Sequence, residues 1–191
     1  MRSSRQPNAE SAPVGSNPGR QDLLGVKDGQ TVIDRELLRD GIDGVFVEVL
    51  RPVVTRNSVT TEFLSSYWGG CSAARHAILV TFRPGAVAAW HMHRGRKDYV
   101  MVHSGHVLVV MYDGRAASAT LGKVQVAHLS EAVPTLVTIP PGVWHGIQNL
   151  QALTPSGMIN YFDQPYDPSD PDSWRLPPNT DEIPYSFRTT V

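Results

Sequence analysis

Gly85-Ala86-Val87-Ala88-Ala89-Trp90-His91-Met92-His93-Arg94-Gly95-Arg96-Lys97-Asp98-Tyr99-Val100-Met101-Val102 is the stretch on which the reading of this chain turns. An apolar run, a polar break at Arg94-Gly95-Arg96-Lys97 and a second apolar run read as strand, turn, strand. His91 and His93 stand two residues apart, so in an extended segment both imidazoles point to one face. Two imidazoles on the inward face of a sheet need polar partners to be tolerated there. Asp98 follows in the same stretch, and a further histidine, His145, closes the run Pro140-Pro141-Gly142-Val143-Trp144-His145. Imidazoles with a nearby carboxylate bind a divalent metal or move a proton, and either use makes this a site.

Outward from this stretch the pattern stays strand-like. Val45–Leu50, Ser58–Leu64, His76–Phe82, Val87–His93, Asp98–His103, Val107–Tyr112, Lys123–Leu129, Thr135–Ile139, Val143–Gln148 and Gly157–Phe162 are short extended runs separated by turn residues. Such spacing predicts an all-β sandwich or barrel. Ser104-Gly105 reads as a tight hairpin and Asp113-Gly114 as a second turn. One short helix is expected over Asp34–Arg39, stopping at Gly41.

The ends differ in composition from the middle. Residues 1–20 are rich in Ser, Pro, Asn, Gly and Arg and cannot bury enough surface to offset ordering entropy, so a disordered tail is expected. The remainder, 21–191, reads as a single domain. From about residue 163 the prolines of Asp163-Gln164-Pro165-Tyr166-Asp167-Pro168 and beyond exclude helix and central strand. Trp174, Leu176, Ile183, Tyr185 and Phe187 call for burial, which predicts an extended arm on the domain or on a partner subunit.

With 191 residues and a formal net charge of −1, the chain has no electrostatic reason to meet nucleic acid or an anionic membrane. No apolar run reaches the roughly 18 residues that span a bilayer, and no secretory signal opens the chain; a cytoplasmic location is expected. Cys71 is the one cysteine and reads as a small residue after Gly69-Gly70 rather than as a reactive thiol. His76, His103, His106 and His128 read as ordinary strand residues. Trp90 and Trp144, as strand neighbours of inward residues, should face away from the site, packing between sheets or at a dimer contact. Arg94, Arg96 and Lys97 read as a solvated basic loop at the barrel mouth, or as a contact for an anionic substrate.

The series Gly85, five residues, His91, one residue, His93, four residues, Asp98, six residues, Gly105, followed after 34 residues by Pro140, one residue, Gly142, two residues, His145, three residues, Asn149, resembles the two cupin motifs, with Asp98 where Glu is usual. The resemblance implies a cupin-type double-stranded β-helix, a jelly-roll barrel. The run Gly105–Asp113, the segment Ile139–Gly146 and the arm through Tyr166-Asp167-Pro168, Arg175-Leu176-Pro177 and Ile183-Pro184-Tyr185 look like the dTDP-4-dehydrorhamnose 3,5-epimerase family of cupins.

That resemblance implies a metal-free homodimer epimerising or isomerising a keto sugar, nucleotide-linked in this family. A histidine abstracts the proton beside the keto group and a tyrosine supplies one to the opposite face. His91 falls on the base position; Asp113 and His145 match site positions. Ala88 stands where the family has an arginine, Asp98 where it has a lysine, and Asn160 where it has the tyrosine, with Tyr161 beside it to serve instead. No carboxylate lies near Leu176-Pro177-Pro178, where the family's histidine finds its aspartate. The His-x-His pair also resembles that of the dTDP-sugar 3,4-ketoisomerases. His91, Asp113 and Tyr161 are thus the catalytic candidates, and His93, Asp98, His145 and Asn160 the substrate-binding ones. Two alternatives stand beside this reading. One is a metal-dependent oxygenase or isomerase with His91, His93, Asp98 and His145 around a divalent transition metal; the other is a non-catalytic cupin that binds a small molecule.

Overall fold

Period-two alternation governs the architecture seen in a computed structural model, which describes residues 41–65 and 74–187 together with the backbone of Glu36–Leu37. In chain order the strands are β1 (Glu36–Leu37), β2 (Phe46–Val49), β3 (Val53–Val54), β4 (Val59–Thr60), β5 (His76–Phe82), β6 (Val87–Met92) and β7 (Asp98–Ser104). They continue with β8 (His106–Asp113), β9 (Val124–Ser130), β10 (Thr135–Ile139), β11 (Val143–Asn149), β12 (Ser156–Phe162) and β13 (Trp174–Arg175). Two antiparallel sheets, ordered β1-β2-β10-β7-β12-β5 and β13-β6-β11-β8-β9, face each other. This is the cupin jelly roll. No helix occurs among the described residues, and none is long and apolar enough to cross a membrane. All described residues fall in one compact unit, Ile33–Val191; the tail expected over 1–20 and Cys71 lie outside the described residues.

Between the sheets lies an aliphatic core. Val100 and Val102 from β7, Val107, Val109 and Met111 from β8, Val137 and Ile139 from β10, and Val143 and Ile147 from β11 alternate inward along their strands. Residues of the opposite parity are buried too. Tyr99 and Met101 of β7 join Leu50 and Leu136 on the outer face of the six-stranded sheet, under Phe63 and Leu64. Burial on both faces explains why β7 reads as a continuous apolar run instead of an alternating one.

Three sequence expectations are corrected. Glu36 and Leu37, placed in a helix, pair with Val49 and Glu48 of β2; six residues cannot sustain an isolated helix, and the edge of β2 offers their backbone a ladder. The strand expected over Ser58–Leu64 is confined to Val59–Thr60, because Phe63 and Leu64 leave the ladder to cover the outer cluster. Ser104-Gly105 is no hairpin: β7 and β8 belong to different sheets, and the chain crosses between them at Gly105, whose φ is +79°. A Cβ there would strike the Ser156 hydroxyl, which accepts from the His106 N–H at 3.2 Å and donates to Asn149 Oδ1 at 2.7 Å.

The C-terminal arm lies on its own domain. Trp174 and Arg175 pair with Met92 and His91 as an edge strand, where a proline-rich segment is allowed. The Trp90 N–H donates to the Leu176 carbonyl at 2.9 Å, and the Leu176 N–H returns to Trp90 at 3.2 Å. Trp90 is fully buried under Ile183, Tyr185 and Phe187, with Phe187 5.1 Å away ring to ring. Trp90 and Trp144 do face away from the site, but this arm covers them rather than the opposite sheet.

Candidate functional site

Inward residues at one end of the barrel enclose a cavity of about 440 Å³. From β6 come Ala88 and His91, with His93 just beyond the strand; β7 gives Asp98, β11 His145, β12 Asn160 and Phe162, and the arm Tyr166 and Arg175. Ala88 and His91 are three residues apart yet both face inward. The β6–β11 register passes from His91↔His145 to Ala88↔Ile147, a bulge that turns both Ala89 and Trp90 outward. The bulge thus sets which side chains of the opening stretch reach the site.

The three imidazoles converge. Ring centroids of His91 and His145 lie 6.1 Å apart, and those of His93 and His145 5.7 Å. Hydrogen bonds assign their tautomers. His145 Nδ1–H donates to the Val143 carbonyl at 3.2 Å, and His93 Nδ1–H donates to the Asp172 carbonyl, which leaves both Nε2 atoms as acceptors. Arg175 donates to His91 Nε2 at 2.9 Å. Burial, then the neighbouring His145, Arg175 and His93, bring the His91 pKa down to about 4. Burial also brings His145 to about 4, with the Val143 hydrogen bond opposing and Arg96 adding to the shift. His93 moves the same way for the same first reason. All three are neutral bases near pH 7.

Asp98 is buried at 1% exposure, accepts from Asn160 Nδ2 at 2.8 Å, and has one oxygen 3.8 Å from His93 Nε2. Burial pushes its carboxyl up to about 6 against the pull of His93 and Asn160.

Two catalytic candidates are not in this space. Asp113 accepts from Arg115 Nε at 2.8 Å and from the Ser118 and Thr120 hydroxyls at 2.5 and 2.6 Å. Burial would raise its pKa, but these bonds outweigh it and hold the carboxyl well below the usual range. It organises the loop after β8 and does not line the cavity. Tyr161 follows Asn160 on β12, so its side chain points outward, onto Phe63 at 5.6 Å. A one-residue offset flips the face, and β12 keeps the register that turns Asn160 inward.

Three cavity residues lie outside the sequence's site candidates, Arg96 being expected only within a basic loop that could meet an anionic substrate. Arg96 does not belong to a solvated loop: it is 7% exposed, lies 4.4 Å over the Phe162 ring and reaches His93 Nε2 at 3.4 Å. It sits in a turn, where alternation gives no parity. Arg175 and Tyr166 come from the arm, and only the pairing of β13 with β6 shows where they go.

The metal alternative fits these residues poorly. His93, Asp98 and His145 bring ligand atoms within 4.8 Å of one another, but His91 is outside that group. The Arg96 guanidinium already faces His93 Nε2, so a divalent cation there would meet a fixed positive charge in a low-dielectric setting.

Comparison with known proteins agrees with the geometry. The model of the family described as dTDP-4-dehydrorhamnose 3,5-epimerase matches residues 66–185. Over 106 residues the chain is 36% identical to the spore coat polysaccharide biosynthesis protein SpsL of Bacillus subtilis, covering 56% of this chain and 70% of that one. The crystal structure of a dTDP sugar isomerase from Desulfovibrio desulfuricans superposes with a TM-score of 0.70 at 27% identity, covering 76% of this chain and 91% of the other. NovW, a 4-keto-6-deoxy sugar epimerase from Streptomyces spheroides, shares the fold with a TM-score of 0.71 at 21% identity over 82% and 81% of the two chains. With a jelly roll, an end-on cavity of neutral imidazoles and a match across most of its described length, the chain belongs to the dTDP-4-dehydrorhamnose 3,5-epimerase family and is a carbohydrate epimerase.

Proposed function

We propose that this enzyme acts on a nucleotide-linked 4-keto sugar of the dTDP-4-dehydrorhamnose type, with His91 as the base, and requires no metal or other cofactor. The observation that carries the reading is His91 itself, a neutral imidazole on the cavity wall, its Nε2 an acceptor. A base in its unprotonated form at working pH takes the proton from the carbon beside the keto group, and the electron pair moves into an enolate. Tyr166 is the tyrosine among the described residues lining the cavity, and in this reading its phenol returns the proton to the opposite face. His93, His145, Asp98 and Asn160 supply hydrogen-bonding partners for sugar hydroxyls. Arg175 is exposed at the mouth; the diphosphate of a nucleotide sugar competes for its guanidinium and frees the His91 lone pair.

A homodimer accompanies this reading. β5 is the edge strand of the described six-stranded sheet, with Leu79 74% and Ile78 37% exposed, and Ile78 also lines the cavity. A second copy laid on this edge would cover it and narrow the cavity.

The test is solvent exchange. Chelator-treated protein incubated in deuterated water with dTDP-4-dehydrorhamnose should label the carbons flanking the keto group, and His91→Ala should not. Labelling that persists in His91→Ala defeats the assignment of the base, and activity that vanishes on chelation defeats the metal-free reading.

A further inference from the structure

Arg96 carries a charge that no carboxylate among the described residues meets at ion-pair distance, although Asp98 and Asp172 lie near enough to attract it. Its side chain is buried, and among the described residues its Nε has no hydrogen-bond partner and its bond to His93 Nε2 is long at 3.4 Å. Asp98 is engaged with Asn160, and the Asp172 carboxylate accepts the Arg94 and Gly95 N–H groups at 2.8 and 2.7 Å. The guanidinium rests on Phe162, and both residues line the cavity. A buried cation without a carboxylate in direct contact is costly, and a ligand's developing negative charge beside it would offset that cost.

The position of this charge matters because both usual cations are missing. Ala88 and Asp98, at the positions where the resemblance implies arginine and lysine, line the cavity. Once His91 removes the proton, the C–H electron pair forms a carbon–carbon double bond and the keto oxygen becomes an enolate oxygen. That oxygen needs a donor fixed in advance. A second unpartnered buried atom, Asn160 Oδ1, lies on the same wall.

We propose that Arg96 is a catalytic residue of this enzyme, its guanidinium donating to the keto oxygen of the sugar and holding the enolate. This deepens the proposed function and rests on it. No oxidant or reductant enters: the proton leaves carbon for His91, the charge passes to oxygen under Arg96, and both reverse when the carbon is reprotonated.

The experiment measures steady-state deuterium incorporation into dTDP-4-dehydrorhamnose by wild type, Arg96→Met and Arg96→Lys, with thymidine diphosphate affinity from calorimetry. Loss of one preorganised oxyanion donor costs about 10²–10³ in kcat, so Arg96→Met should lose that much with KM and thymidine diphosphate affinity within about threefold. Arg96→Lys, which keeps the cation, should recover at least about tenfold of it; this comparison also decides the matter should Arg96→Met fail to fold. Undiminished kcat in Arg96→Met, or in both variants a loss confined to KM and thymidine diphosphate affinity, overturns the role, the latter placing Arg96 on the diphosphate. Exchange by wild type with no effect of Arg96 refutes this inference alone, whereas no exchange by wild type refutes the proposed substrate chemistry with it.

Discussion

Replacing Arg175 should move the acid limb of the pH–rate profile, and the structure sets both direction and size. His91 must be neutral to accept a proton, so kcat/KM falls as pH drops through its pKa, about 4 in the free enzyme. Arg175 donates to His91 Nε2 at 2.9 Å, and a guanidinium beside an imidazole disfavours the imidazolium. Because Arg175 is exposed, the water-like value applies: unit charges about 4 Å apart interact by about 1 kcal/mol, or roughly 0.7 of a pH unit. Arg175→Ala should raise the limb by about that amount, and Arg175→Glu, which turns repulsion into attraction, by about 1.5 units. The assay is initial-rate deuterium exchange into dTDP-4-dehydrorhamnose from pH 3.5 to 9, with enzyme diluted into each buffer only for the seconds of measurement to outrun acid unfolding. A wild-type limb at the ordinary imidazole value near 6.5, unmoved by either substitution, would refute the claim that His91 is a desolvated base held by Arg175.

Tyr166→Phe should leave exchange within about threefold while suppressing inversion by about 10²-fold, separating deprotonation from reprotonation; Tyr161→Phe should change neither, and nuclear magnetic resonance of the product checks both. Stability should fall on acidification from pH 6.5 to 4.5. The unfolded chain binds protons on His91 and His145 that the folded one refuses until about pH 4, while Asp98, raised to about 6, works the other way. The net excess of about one proton costs roughly 1.4 kcal/mol per pH unit, visible as a falling Tm, and His145→Gln should flatten the slope. Trp90→Ala, which removes a fully buried ring from beneath the arm, should destabilise by about 3–5 kcal/mol in urea unfolding. If the proposed homodimer forms through β5, Leu79→Lys on its exposed edge should give a monomer in analytical ultracentrifugation where wild type gives a dimer; an unchanged mass would remove β5 from the interface.

Where the strand period held, the sequence was legible. His91, His93, Asp98 and His145 come together because each lies on or beside a strand whose parity can be counted, and the positions that are apolar on both faces of β7 still reveal a strand. Legibility failed where parity was broken or undefined. Tyr161 and Asn160 are adjacent, so choosing between them needs a register that only pairing with β5 and β7 fixes. Asp113 ends β8, and its fate is decided by Arg115, Ser118 and Thr120 folding back on it. Ser104-Gly105 has the composition of a hairpin turn, yet its neighbours join different sheets, a long-range choice that two residues do not encode. Arg96 and Arg175 sit in a turn and a proline-rich arm, where a side chain's direction depends on what the segment lies against.

In the proposed roles, the same two arginines would let the site depart from its family's pattern and keep its chemistry. A carboxylate behind the base would raise its pKa; here Arg175 lowers it, trading proton affinity for a fully unprotonated population at neutral pH. A weaker base needs a more acidic carbon, and a fixed cation at the keto oxygen supplies that by stabilising the enolate. Arg96 therefore compensates for Arg175, and the two substitutions are coupled through the substrate. In a double-mutant cycle on kcat/KM, which is referred to the free enzyme, Arg175→Glu, which strengthens the base, should soften the loss caused by Arg96→Met, giving a coupling of about 1 kcal/mol or more. Strict additivity would mean that the two guanidiniums serve separate ends of the substrate, with Arg96 no longer tied to the proton transfer at His91.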